Sequence, residues 1–153
     1  MTVMGDFAEG YLKVKGLTPN KEFGWVPFPG SEEVFVMNSD TFAIPKGAVH
    51  RENAIKWLEL VGSKAAQDAF NQKKGSIPAR KDSRQNMENY NAYQQSAAKA
   101  FREQTLVGSV THGTVAPDKW RNKLYRIIDT FIVEKDIQAA MKRLEEISLE
   151  FVP

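Results

Sequence analysis

His50 and His112 are the two histidines of the chain, and neither lies in an HExxH spacing or beside an acid cluster. That pattern speaks against a zinc or iron centre. There are no cysteines, which removes thiolate nucleophiles, disulfides and the common structural zinc sites together. A G-x-S-x-G elbow is absent, and Lys74-Gly75-Ser76 lacks the preceding glycine at phosphate-loop spacing. Glu32-Glu33 and Glu145-Glu146 are adjacent pairs. Neighbours on a strand or helix point in different directions, so neither pair forms a general acid/base couple. The expectation is a protein that is not an enzyme and holds no metal or cofactor.

Charge excludes a further class. Lys and Arg number 21 against 19 Asp and Glu, a net charge of +2, which gives no electrostatic reason for a nucleic-acid partner. Lys73-Lys74, Arg80-Lys81 and Arg84 read as a solvated face or loop. With 153 residues, 42% of them hydrophobic, the chain is long enough for one domain with a core. No apolar run approaches the roughly 20 residues of a membrane span. The opening MTVMGDFAEG has neither a basic n-region nor an apolar stretch, so no signal segment is read there.

The elements that must position any site follow from periodicity and breakers. Thr2-Val3-Met4 is strand-like and stops at Gly5-Asp6. Phe7 to about Val14 is expected as a helix, with Asp6 as N-cap and Gly16 as stop. Residues 22–28 read as extended. Val34 to Met37 reads as a buried strand, and Thr41 to Ile44 resumes β-type composition until Pro45. Ala54, Trp57, Leu58 and Val61 mark one face of a helix from Arg51. Ser63 caps the next helix, which runs toward Gly75 at its C′ position.

Ile77 precedes a proline and is pushed to extended geometry. Residues 86–103 contain no breaker and are expected as one long helix, followed by a loop or extended segment over 105–116. Pro117 sits in the first turn of a helix whose face carries Trp120, Leu124, Ile127, Ile128, Phe131 and Ile132. Asp136 caps a last helix with Ile137, Ala140, Met141, Leu144 and Ile147 inward. The pattern is α/β with helices dominant and three or four short strands. The first strand begins at residue 2, as if the chain started in the middle of something.

Four segments, in this order, resemble the solute-binding proteins of sugar ABC importers, especially those for glucose and related sugars. They are Met1 to Ala8 with its Gly5-Asp6-Phe7; Pro27-Phe28-Pro29-Gly30 followed by Asp40 to Ala48; Gly62 to Asn71 running into Lys74-Gly75-Ser76-Ile77-Pro78-Ala79-Arg80; and Thr111-His112-Gly113 before Ala116-Pro117. The Lys-Gly-Ser-Ile-Pro-Ala-Arg string is the most specific of them. The resemblance covers essentially all of the chain but less than half of the family's usual length. It implies the carboxy-terminal part of a two-lobed, helix-rich periplasmic-binding-protein-like fold of type II. Residues 1–36 would belong to the carboxy-terminal lobe, 37–77 to the amino-terminal lobe, and 78–153 would return. It further implies a sugar ligand, a membrane permease as partner, and a periplasmic or extracellular, lipid- or membrane-associated location. As a fragment, the chain is expected to leave sheet edges and apolar faces uncovered and to self-associate or rearrange, with a homodimer as one form.

Five residues are implied for the sugar. Phe7 stands where the family usually has a stacking tryptophan; it also fits a core aromatic behind a glycine turn. Asp40 lies just past a strand, where a carboxylate can accept two hydroxyl protons, and an Asx-turn or cap would use it equally. Lys74 would donate to a ring or hydroxyl oxygen, though a solvated lysine fits the bare sequence. His112, in a Thr-His-Gly loop, can donate and accept as a neutral imidazole, or be a loop histidine without a task. Trp120 matches an aromatic of related maltose-type binders, while its phase with Leu124 and Ile127 suits a helix core. A fragment keeping the fold without binding ligand is the alternative function.

Overall fold

A computed structural model describes residues 2–150. Helices dominate. They are α1 (Phe7–Val14), α2 (Arg51–Gly62), α3 (Lys64–Lys74), α4 (Lys81–Arg84), α5 (Ala92–Glu103), α6 (Asp118–Glu134) and α7 (Ile137–Leu149). Among the described residues the sheet has two strands, β1 (Val34–Met37) and β2 (Thr105–Gly108). Thr105 N donates to Glu33 O at 2.9 Å and Ser109 N to Met37 O at 3.2 Å, a constant offset along both chains that makes the pair parallel.

Local chemistry explains most boundaries. Ser63 Oγ accepts from Ala66 N at the start of α3, and Asp136 accepts from Ala139 N at the start of α7. Gly75 ends α3 in the left-handed region at φ 92°, and Gly16 follows α1 at φ 80°. Asp6 occupies the N-cap of α1, yet its side chain makes no capping hydrogen bond.

Four expectations need correction. Residues 2–4 and 41–44 form no strand: a short β-type composition without a neighbouring strand has nothing to bond to. The helix foreseen over 86–103 begins only at Ala92, because Asn91 and Gln94 close a capping box there. The four-residue helix α4 was not foreseen. Ile137 and Met141 of α7 are more than half and half exposed, so that helix buries a narrower face than its apolar pattern suggests.

The chain divides into two compact units, Met1–Phe35 with Asp40–Leu106, and Val36–Ser39 with Val107–Pro153. The second unit has an apolar core in which Ile127, Ala140 and Ile147 are buried, with Trp120, Leu124 and Leu144 packed against them. The interior of the first is more polar. Gln94, Pro78 and Ser83 are its most completely buried side chains, beside Tyr90 and Ala98. Trp25 meets Tyr93 edge-on at 5.3 Å, and Phe42 meets Trp57 in the same manner at 4.9 Å.

Candidate functional site

In the first unit, a buried polar network fixes the segment that leaves α3. Gln94, 1% exposed, donates through Nε2 to the carbonyls of Asn71 at 2.7 Å and Ser76 at 3.1 Å. Ser76 Oγ donates to Asn71 Oδ1 at 2.7 Å, and Gln67 Oε1 accepts from Ala79 N at 3.1 Å. Arg80 reaches back to Gly62 O at 3.0 Å, while Asp82 holds its guanidinium through two 2.9 Å bonds. The Ser-Ile-Pro-Ala-Arg stretch is thus extended because α3 and α5 supply partners for backbone groups that no strand pairs.

This network sets the end of α3 against the start of α1, glycine on backbone. A Cβ at Gly75 would lie 2.7 Å from Gly10 N and 3.1 Å from Asp6 O, and would overlap Glu9 Oε2. A Cβ at Gly10 would overlap Lys74 O and stand 2.8 Å from Lys74 C. Side chains would hold the two elements apart, so both positions require glycine.

Two of the implied residues meet here. Lys74 Nζ pairs with Asp40 Oδ2 and lies 5.7 Å from the centre of the Phe70 ring. Lys74 is in the last turn of α3, where the carbonyl end of the helix favours a cation. Burial raises the Asp6 carboxyl above its ordinary value; Lys74 offsets this in part and Asp40 adds to it. Lys74 is thus ion-paired with Asp40 and acts on Asp6 through its charge alone. Phe7, next in sequence to Asp6, is half exposed and lines an apolar hollow of about 460 Å³ over α1 with Thr2, Met4, Ala8, Tyr11 and Leu12. A carboxylate–ammonium pair can exchange hydrogen bonds with hydroxyls, and a partly open aromatic face can pack against C–H surface.

Glu9 lies behind these groups. It is buried, accepts from Asn91 Nδ2 through Oε1, ion-pairs with Lys13 at 3.8 Å, and leaves Oε2 without a hydrogen-bond partner. Burial raises its carboxyl, against the pull of Lys13 and Asn91. Tyr93 is pushed up to about 12 by burial first, then by Asp6 and Glu9. Sequence reasoning missed Glu9, Asn71, Asn91 and Gln94. The one signal was Asn-x-x-Gln at 91–94, a capping-box spacing inside a run that otherwise looks uniformly helical.

The other two implied residues lie in the second unit. His112 is exposed, with Nδ1 2.7 Å from Ser109 Oγ. Trp120 is partly buried on the core, and its indole N–H donates to Ile147 O at 2.7 Å. Any sugar contact by Trp120 would therefore use the ring face. Among the described residues no cluster of His, Asp and Glu could hold a metal ion, and no helix is long and apolar enough to cross a membrane.

The chain is similar in sequence to known proteins over most of its length. Over 142 residues, 92% of the chain, it is 39% identical to an uncharacterized ABC transporter extracellular-binding protein of Pyrococcus horikoshii. The chain is homologous to extracellular binding proteins of ABC transporters. It is also 32% identical over 130 residues, 82% of its length, to a probable sugar-binding periplasmic protein of Brucella suis. A 62-residue stretch, 40% of the chain, is 44% identical to a xylose/arabinose-binding protein of Haloferax volcanii. No family model matches the chain. The chain spans 31% of the Pyrococcus protein, 30% of the Brucella protein and 14% of the Haloferax protein.

Proposed function

We propose that this chain is part of the sugar-binding component of an ABC importer, which captures a mono- or oligosaccharide and delivers it to a membrane permease. The observation that carries this reading is the Lys74–Asp40 pair, held beside the Phe7 segment by the crossing of Gly10 and Gly75. The names of the relatives support it, since those with a stated ligand are sugar binders. Asp40 would accept hydroxyl protons, Lys74 would donate to hydroxyl or ring oxygens, and Phe7 would pack against the C–H face of the sugar. In the second unit, His112 and the ring face of Trp120 are proposed as separate candidate sugar contacts. The type II two-lobed fold, with 1–36 and 78–153 in one lobe and 37–77 in the other, belongs to the same proposal. So do the periplasmic or extracellular location and the absence of catalysis.

The share of the relatives that the chain spans favours a second reading, in which it keeps part of the fold and lacks enough contacts to hold ligand alone. Calorimetric titration with a panel of pentoses, hexoses and disaccharides separates the two. Binding that weakens about tenfold or more in Asp40→Asn and Lys74→Ala supports the first, as loss of a charge-assisted hydrogen bond requires. Binding that is indifferent to both substitutions refutes the assigned residues. A folded chain that takes up no sugar supports the second reading.

A further inference from the structure

Phe7 is the first residue of α1 and Lys74 the last of α3, and the start of α5 holds both helices without carrying a residue implied for the sugar. Asn91 and Gln94 close its capping box: Asn91 Oδ1 accepts from Gln94 N at 3.0 Å, and Gln94 Oε1 from Asn91 N at 3.4 Å. Each amide commits its oxygen to the cap and keeps its nitrogen for another helix. Asn91 Nδ2 donates to Glu9 Oε1 on α1. Gln94 Nε2 donates to Asn71 O at 2.7 Å and to Ser76 O at 3.1 Å, carbonyls that flank Lys74 in sequence. The cap orients both amides. A flipped Gln94 would set its NH₂ against the Asn91 N–H and its oxygen against two carbonyls, and a flipped Asn91 would turn its oxygen on the Glu9 carboxylate.

Capping alone does not call for these side chains. Serine, threonine or aspartate caps equally well, and glutamate closes the box as glutamine does. What the amides add is their donors, and the donors act where water does not reach: Gln94 and Glu9 are both buried. Among the described residues, Asn91 supplies the hydrogen bond to Glu9, whose other oxygen has no hydrogen-bond partner and whose ion pair with Lys13 is 3.8 Å long. Lys13 Nζ also donates to Gln72 O at 2.7 Å, a direct tie from the far turn of α1 to α3. Between these ties the backbones of Gly10 and Gly75 meet.

We propose that Asn91 and Gln94 form a bracket: they are positioning residues that set the separation of Phe7 from Lys74, and so the size of sugar that both can reach. The selectivity half of this statement rests on the sugar-binding reading; the bracket between α1 and α3 does not. A gap of fixed width discriminates between ligands that differ by a single carbon, so two side chains that touch no sugar would select among sugars.

Two variants separate the bracket from the cap. Asn91→Ser keeps a capping hydroxyl and removes the donor to Glu9; Gln94→Leu removes the donor to the carbonyls beside Lys74. The distance between helices is read without sugar, from the nuclear Overhauser effect between the Gly10 amide proton and a Gly75 α-proton, since a Cβ on Gly75 would stand 2.7 Å from Gly10 N. Both variants should weaken this signal relative to amide–amide signals within α1. A signal left intact by either variant overturns the bracket. Should Gln94→Leu fail to fold, Asn91→Ser still decides. Calorimetric titration with D-xylose and D-glucose, which differ by one hydroxymethyl group, tests the other half. The ratio of the two Kd values should change by about threefold or more in Asn91→Ser, a fraction of the roughly tenfold or more that the fit of one methylene commands. Damage that is merely structural would weaken both sugars by the same factor, and that result overturns the selectivity. An unaltered chain that takes up neither sugar rejects the sugar-binding reading and the selectivity with it, while the Gly10–Gly75 signal still judges the bracket.

Discussion

Gly75 and Gly16 separate two costs that a glycine can conceal. Both have positive φ, 92° and 80°, but a Cβ at Gly16 would meet nothing within 4 Å, while one at Gly75 would strike Glu9 and the backbone of Gly10. Alanine at Gly16 should therefore carry only the left-handed penalty, about 1–2 kcal/mol. Alanine at Gly75 carries that and an overpacking term of about 1–3 kcal/mol, because the atoms in the way are mostly backbone. The expected losses are about 1.5 and about 3.5 kcal/mol. For a chain of this size these correspond to drops in Tm of roughly 5 °C and roughly 10 °C. Urea unfolding, with m held common to the three proteins, measures the difference directly. Equal losses at the two positions, or a smaller one at Gly75, would show that α1 does not press on the end of α3. The account of how Lys74 is positioned would then fail.

Two further outcomes follow from the same unit. Gln94→Leu keeps volume but strips the Ser76 carbonyl of its donor, while Asn71 O keeps the Gly75 N–H; with about 1–3 kcal/mol per buried unsatisfied group, chemical denaturation should show a loss of about 1–3 kcal/mol. Glu9 has a folded-state carboxyl raised by burial, so the stability it contributes is present below its unfolded value near 4.5 and is lost as pH rises through the higher folded value. Denaturation midpoints followed from about pH 4 to pH 8 should fall more in the unaltered chain than in Glu9→Gln. Parallel pH profiles would refute that assignment.

What the sequence made legible was local. Ser63, Gly75 and Asp136 end or begin helices by chemistry contained within four residues, and each boundary appears where it was expected. The strand Val34–Met37 was legible because four apolar residues without helical spacing leave few other states. The long helix failed because Asn91 is an acceptable helix residue by composition and reveals itself as a cap only through Gln94. Of the site, the resemblance supplied Asp40 and Lys74 and the structure joined them. It could not supply Glu9 or Asn91, whose contact spans 82 positions and leaves no periodic trace. Trp120 shows the converse: its phase along α6 announced the core packing, but not that its N–H would be taken by Ile147 O.

The two-stranded ladder has a consequence in time. Parallel strands cannot be joined by a tight turn, and here the connection from β1 to β2 runs through α2, α3, α4 and α5. Closing a flexible loop of about 70 residues costs on the order of 4 kcal/mol in chain entropy before the first ladder bond forms. Helical turns and their caps have no such toll and form in microseconds or less. The ladder is then expected to close last, on helices already in place, and to set the folding rate. Until it does, two short apolar segments, Val34-Phe35-Val36-Met37 and Leu106-Val107, wait without partners. Connectivity thus creates a folding interval in which this chain is open to pairing with another copy of itself.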